Sequence, residues 1–305
     1  MRIIQGLESH SPDARPSVVA LGAFDGIHLG HRAILCTAAL RGKAGSAQVV
    51  ACTFDRHPME VLQPERAPVP ITTLAERLEL IAETGVDLTL VLPFTPALAA
   101  VEPEVFVKDV IVARLFAREV VVGFNHTFGR GARGNVQLLR DLGARVGFTT
   151  HVVPPLLVDG IPVSSSEIRT ALKEGDVGRA ARYLGRPYSI AGVVTRGAGR
   201  GRTLGFPTAN LDADRPLLVP IGVYACRAEV DGGFEAAVVN VGVRPTFGDN
   251  DLAIEAYLLN FSRDIYGARL RLHMMARLRG EQKFGSVDEL RAQIGRDVEA
   301  ARRRL

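Results

Sequence analysis

Two stretches of this 305-residue chain combine glycines, polar hydrogens and cations at spacings suited to holding phosphate groups. The first runs Gly22-Ala23-Phe24-Asp25-Gly26-Ile27-His28-Leu29-Gly30-His31. Gly22, Gly26 and Gly30 let the backbone come close to a ligand. His28 and His31, three residues apart, fall on the same side of a first helical turn. A helix N-terminus adds N–H groups and a partial positive charge that favour an anion. This pair therefore reads as phosphate-handling, against the plainer reading of one capping and one packing histidine. The segment VSSSEIR, Val163 to Arg169, marks another helix start. Ser164 and Glu167 have the spacing of a capping box, and Arg169, one turn in, can hold phosphate oxygens bidentately. The second stretch, RGAGRGRTLGFPTANL from Arg196 to Leu211, carries Gly197, Gly199, Gly201 and Gly205. Thr203 to Pro207 cannot open a helix cleanly, so it is not a dinucleotide fingerprint, and the chain has no G-x-x-x-x-G-K-[ST] loop. A surface hairpin and a phosphate loop both remain open. Glu255, between Ile254 and Ala256, faces away from both on a strand of period two, toward solvent or the mouth of a barrel.

The elements that must position these residues change character along the chain. Up to about Leu184, short apolar runs alternate with helical patterns. Strands are expected at Val18–Leu21, Gln48–Thr53, Leu88–Leu92, Val120–Gly123 and Val152–Val153. Helices are expected at His31–Leu40, Leu74–Thr84, Val105–Ala117 and Val136–Leu142, with a closing pair at Ser166–Lys173 and Val177–Tyr183. That alternation predicts a parallel sheet covered on both faces. Its strand ends are where ligands bind, which is where the histidine segment falls. After Arg186–Pro187 the expected elements are strands: Ser189–Arg196, Gly222–Val230, Ala236–Val241, Ile254–Leu259 and Leu270–Leu278. Asp231-Gly232-Gly233 is a hairpin-type turn between two of them. This spacing predicts an all-β barrel or sandwich. A final helix from Val287 to about Arg302 places Val287, Leu290, Ile294 and Val298 on one face. The boundary is expected near Gly185–Tyr188, giving domains 1–185 and 186–305, and no internal repeat relates them.

Composition narrows the function classes. A hydrophobic fraction of 47% with 23% charged residues is globular and excludes wholesale disorder. The weakly polar run Leu88–Val101 is broken by Pro93 and Pro96 and is too short to span a bilayer. Met1 to His10 has no apolar core of a secretory signal. Cys36, Cys52 and Cys226 are few and odd in number, with no close pair, which fits a reducing cytoplasm rather than a disulfide framework or thiolate zinc site. The whole net charge of +4 belongs to residues 186–305. It suits anionic small molecules; no aromatic-interleaved basic stripe accompanies it, so neither nucleic acid nor membrane is expected as a partner.

Taken together, the motifs resemble those of bacterial bifunctional riboflavin kinase/FAD synthetases. The N-terminal segments are GAFDGIHLGH, TFDRHP at Thr53–Pro58, GFNHTFG at Gly123–Gly129 and SSSEIR at Ser164–Arg169. The C-terminal ones are GFPTAN, NVGVRPTFG from Asn240, IEAYLLNF from Ile254, IYGARLRL from Ile265 and LRGEQKF from Leu278. The likeness runs over nearly all of residues 15–300. Three positions depart from the family's pattern: Arg56 replaces a proline, Ser166 a threonine and His126 an aromatic. The resemblance implies a Rossmann-like nucleotidyltransferase domain, then a riboflavin-kinase-like β-barrel with a terminal helix.

It further implies that riboflavin and ATP give FMN, and that FMN and ATP give FAD and pyrophosphate, with Mg²⁺ as cofactor. Adenylyl transfer needs no protein nucleophile, only aligned anions and neutralised charge. His28 and His31 would donate to the reacting phosphates within the loop Gly22, Phe24, Asp25, Gly26 and Gly30. Asn125 would contact the nucleotide or flavin phosphate, and Ser164, Ser165 and Arg169 the pyrophosphate. In the second half, the loop of Gly199, Gly201 and Gly205 would cradle ATP phosphates. Thr208 and Asn210 would offer oxygen ligands to Mg²⁺, and Glu255 would take the proton from the riboflavin 5′-hydroxyl. The alternatives are a chain with only the kinase active, or a flavin- or RNA-binding regulator built on the same modules. Oligomeric state is not legible.

Overall fold

The structure, a computed structural model, describes residues 1–8, 15–197, 200–243 and 252–305. Packing divides the chain into two compact units, Met1–Ser165 and Ser166–Leu305.

The first unit is built on a six-stranded parallel sheet. Its strands are β1 (Arg2–Gln5), β2 (Ser17–Leu21), β3 (Gln48–Phe54), β4 (Leu88–Leu92), β5 (Ala117–Gly123) and β6 (Thr149–Val153), in spatial order β1-β4-β3-β2-β5-β6. The helices named below are α1 (Leu29–Gly45), α2 (Leu74–Ala82) and α3 (Val136–Val146). β2 is buried along its whole length, and its side chains alternate between two cores. Val18 and Ala20 pack under α1 and α2 with Ile34, Leu35, Ala38 and Ile81. Val19 and Leu21 pack on the other face with Leu139 and Leu142 of α3 and with Phe106 to Leu115. Each such side chain, fully buried, contributes roughly 1.5–3 kcal/mol. Chain order reverses at β2: β3 and β4 lie to one side, β5 and β6 to the other. The loops after β2 and β5 therefore diverge at the C-terminal edge and leave a crevice.

Two expectations need correction here. β1 was not expected, because four residues at a sheet edge with only Ile4 half-buried carry too little pattern. The single helix expected over Val105–Ala117 is instead a short turn at Pro103–Phe106 followed by a π-helix at Val107–Val112, in which Ala113 and Leu115 donate back five residues. Phe116, at φ +50°, then breaks the helix, so Ala117 opens β5.

The second unit is a closed antiparallel barrel. Its strands are β7 (Tyr188–Thr195), β8 (Ala209–Ala213), β9 (Gly222–Val230), β10 (Gly233–Val243), β11 (Leu252–Leu258) and β12 (Arg269–Arg279), in the order β7-β8-β11-β10-β9-β12. β8 begins at the end of the glycine-rich stretch and was not expected as a strand. The β9–β10 turn has Asp231 and Gly232 both at positive φ, as a two-residue hairpin of this twist requires. α4 (Ser165–Lys173) and α5 (Val177–Leu184) precede the barrel, and α5 packs on β7 and β12. By packing, the helical pair thus lies with the second unit, twenty residues before the boundary expected near Gly185. The terminal helix α6 (Val287–Arg302) covers one stretch of the barrel wall through Ile294, Val298 and Ala301. Val287, expected on that face, is 64% exposed, because the contact is made only by the later turns.

Candidate functional site

In the first unit, the loop from Gly22 to His28 leaves the end of β2 and feeds directly into α1. His28 is the helix N-cap: its Nδ1 accepts the N–H of His31 at 3.2 Å. That fixes the neutral imidazole as the tautomer protonated on Nε2. The two rings stack with centroids 3.6 Å apart and 19° between planes. The plainer reading of a capping histidine is therefore right for His28, and the same cap is what holds it against His31. Burial, then the neighbouring His28, then Arg77 hold the His31 imidazole well below its ordinary pKa. A Cβ on Gly30 would come within 3.1 Å of the His28 ring, so glycine there leaves room for the pair. Gly26 is at φ +82°, and a Cβ there would meet the Ile71 side chain at 3.0 Å.

The side chains of Phe24 and Asp25, expected among the phosphate contacts, turn inward. Phe24 is fully buried with its ring edge-on to His31, centroids 5.4 Å apart, and a Cβ on Gly22 would meet that ring at 2.8 Å. The Asp25 carboxylate accepts the N–H groups of Ile71 and Thr72 at 3.1 and 3.2 Å, and so shapes the loop from behind. Ser165 donates its hydroxyl to the Asp25 carbonyl at 3.0 Å, which brings the Ser164–Ser165 turn to the same loop. Asn125 follows β5 and is exposed, on the other lip of the crevice. Arg169 is half-buried on α4, within the second unit.

Beside the loop lies a cavity of about 400 Å³, lined mostly by apolar groups from four strand ends, among them Leu21, Cys52, Phe54, Phe94, His126 and Phe128. Such a volume lies within the range of small-ligand sites. Phe54 and Phe94 meet edge-on at 5.0 Å, and His126 stacks on Phe128 at 5.9 Å. Burial lowers the His126 pKa to about 4, and its Nε2 is buried without a hydrogen-bond partner. Burial likewise pushes the Cys52 thiol up to about 12, so it serves as wall rather than nucleophile. Of the three departures, His126 thus lines the cavity. Arg56 does not: it is paired with Asp55 at 3.0 Å on the neighbouring surface.

In the second unit, register decides the arrangement. Asn210 on β8 lies directly opposite Glu255 on β11, and Asn240 on β10 lies opposite Glu255 from the other side. These three share the outer face of the wall, whereas Ile254 and Ala256 point into the barrel at 2% and 0% exposure. Cross-strand neighbours of this kind have Cβ atoms about 5 Å apart. Tyr257, on the same face, meets Phe206 edge-on at 5.4 Å. Asn240 was not singled out from sequence, since only the pairing of strands distant in the chain brings it to Glu255. A Cβ on Gly197 would strike the Asn210 amide at 2.1 Å, which explains a glycine there. Thr208, two residues before Asn210, borders a second cavity of about 400 Å³ with Val194, Arg202, Ala209, Ala256, Arg263 and Tyr266. Gly201 packs too tightly for a Cβ, 2.4 Å from the Phe206 carbonyl. The N–H groups of Gly205 and Phe206 donate within the loop, to the carbonyls of Arg202 and Gly201. Gly199 lies outside the described residues, as does the end of the NVGVRPTFG segment.

Two family models match: FAD synthetase over residues 10–167 and riboflavin kinase over residues 184–305. The chain is 36% identical to the bifunctional riboflavin kinase/FMN adenylyltransferase of Escherichia coli K12, over 99% of this chain and 97% of that protein. It is 38% identical to proteins of the same description from Pseudomonas fluorescens, over 99% and 97%, and Bacillus subtilis, over 93% and 91%. Among solved structures it is similar to one described as a macrolide-efflux protein from Streptococcus pneumoniae, with TM-score 0.91 and 31% identity over 99% of both chains. Among the described residues no helix is long and apolar enough to cross a membrane.

Proposed function

The chain belongs to the bifunctional riboflavin kinase/FMN adenylyltransferase family, and on that premise we propose that residues 186–305 phosphorylate riboflavin and residues 1–185 adenylylate the resulting FMN. FMN and FAD synthesis from riboflavin and ATP is its function; the single-activity and regulator alternatives are not favoured.

In the first unit, an FMN phosphate oxygen attacks the α-phosphorus of ATP, the bond to the β-phosphate oxygen breaks, and pyrophosphate leaves. His28 and His31 would donate to these phosphates, Asn125 would hold a phosphate across the crevice, and Ser164 and Ser165 would receive the pyrophosphate. The apolar cavity lined by Phe54, Phe94 and Phe128 suits the flat isoalloxazine ring. The observation that carries this reading is the stacked histidine pair, fixed at a helix start between β2 and β5 and next to that cavity.

In the second unit, Glu255 would accept the proton of the riboflavin 5′-hydroxyl as its oxygen attacks the γ-phosphorus of ATP and ADP departs. The cavity bordered by Thr208 would take the nucleotide, with its phosphates directed along Thr208 toward Asn210 and Glu255. An ATP-using kinase is consistent with a divalent cation, and we assign Mg²⁺. The hydroxyl of Thr208 and the amide oxygen of Asn210, beside a carboxylate, are the hard donors that ion accepts. When bound it would neutralise charge on the transferring phosphoryl group. We place the protein in the cytoplasm, supported by three cysteines that are all unpaired.

The test separates the two reactions. Glu255→Gln is expected to abolish FMN formation while added FMN is still converted to FAD, and His28→Ala to show the reverse. Loss of both activities in both variants would overturn the assignment of one reaction to each unit.

A further inference from the structure

The most enclosed guanidinium behind the histidine loop belongs to a residue in none of the motifs. Arg77, the fourth residue of α2, is 6% exposed. Its Nη1 donates to the carbonyls of Ala23 at 2.9 Å and Phe54 at 3.0 Å, and lies 3.4 Å from the Thr53 hydroxyl. That hydroxyl donates in turn to Ala23 at 3.1 Å, so the Ala23 carbonyl is gripped by two donors. The next residue, Phe24, sits at φ +53°, a conformation a bulky side chain adopts only when its surroundings impose it. The Phe24 ring is the surface against which His31 rests edge-on. Asp25, one residue further, is tied to the N–H groups that immediately precede α2. α2 itself is anchored by a reciprocal cap between Thr73 and Glu76, with bonds of 2.8 and 3.1 Å.

Burying a cation among carbonyls is costly, and desolvation pulls the Arg77 pKa down, opposed by Asp25, Asp55 and Glu60. An apolar side chain would fill the space without that cost, but it could not hold two strand ends at once. We propose that Arg77 is a positioning residue for adenylyl transfer: by clamping Ala23 and Phe54 it holds the strained Phe24 turn and so sets His31 against His28. The inference rests on assigning the histidine pair to that reaction. Arg77 also acts electrostatically on His31, beside the effect of the neighbouring His28 ring.

The full-length chain carrying Arg77→Met, Arg77→Lys or His31→Ala is assayed with FMN and ATP for FAD, and with riboflavin and ATP for FMN. A loop displaced by an ångström costs up to a hundredfold in rate. Arg77→Met is therefore expected to lower kcat for FAD formation by about tenfold or more while KM for FMN changes less than about twofold. Arg77→Lys keeps the charge, but its ammonium ends one bond short of the Nη1 position from which both carbonyls are reached, and it is expected to lower kcat as well. Riboflavin phosphorylation stays at the wild-type rate in both. The His31 ring proton, followed by NMR, titrates at higher pH in Arg77→Met and unchanged in Arg77→Lys, which simple loss of packing would not produce. Wild-type kcat in both Arg77 variants, with His31→Ala inactive, would overturn the clamp alone. Full activity in His31→Ala would overturn the site assignment and the clamp with it. If Arg77→Met does not fold, the kcat of Arg77→Lys decides.

Discussion

His126 shows how one side chain writes a pH dependence into the first unit. Its folded pKa is about 4 against an ordinary 6.5, because burial disfavours the imidazolium. Above pH 6.5 the group is neutral in both folded and unfolded chains and costs nothing. As pH falls from about 6.5 to about 4 only the unfolded chain takes up the proton, so stability drops, by at most about 3.5 kcal/mol at about 1.4 kcal/mol per pH unit. His31, lowered in the same direction, adds to the loss. His126→Phe keeps the stack on Phe128 and removes both the titration and the orphaned Nε2. Urea unfolding of the first unit at pH 7 and pH 5 is expected to differ clearly less in this variant than in the wild type. An unchanged difference would mean that other groups carry the acid sensitivity.

Among elements, α6 depends on a buried polar contact as well as its apolar turns. Asp297 is 5% exposed, and both of its oxygens accept from the Arg279 guanidinium, at 2.8 to 3.1 Å. Gln293 adds a bond to the same carboxylate at 2.9 Å. Through β12 the pair fastens the helix to the wall, where Ile294 and Val298 complete the contact. Asp297→Ala would leave the guanidinium enclosed without its anion and is expected to cost the second unit about 3 kcal/mol. Arg302→Ala, which removes an exposed pair with Glu299 one turn away, is expected to change stability by less than about 0.5 kcal/mol. Equal effects in chemical denaturation would show that the buried pair does not fasten the helix.

For the whole molecule, the placement of α5 separates function from packing. Val177, Ala180, Tyr183 and Leu184 are almost completely buried, on the helix that rests against β7 and β12. The riboflavin kinase family model begins only at residue 184. A chain of residues 166–305 is therefore expected to unfold at a clearly higher temperature than one of residues 186–305. The shorter chain forfeits several buried side chains worth about 1.5–3 kcal/mol each, and both would retain the strands bearing Glu255 and Asn210. Equal melting temperatures would show that the barrel does not need the helix and that the expected boundary near Gly185 is also the packing boundary.

The sequence by itself determined the two architectures, the histidine pair at a strand end and the glycine stretch before Glu255. These rest on local facts: hydrophobic period, turn residues and the fixed spacing of H-x-G-H, all legible over ten residues or fewer. Closure of the barrel, by contrast, was not separable from a sandwich, because the strand period is the same in both. Only the tertiary structure brought Asn240 and Asn210 to either side of Glu255, since cross-strand register joins residues far apart in the chain. Only it turned Phe24 and Asp25 inward and set Arg77 behind them, where a helix from beyond β3 reaches back to the end of β2. A buried cation has no periodic signature; what fixes its role is which carbonyls it meets, and those are chosen by the packing of the folded chain.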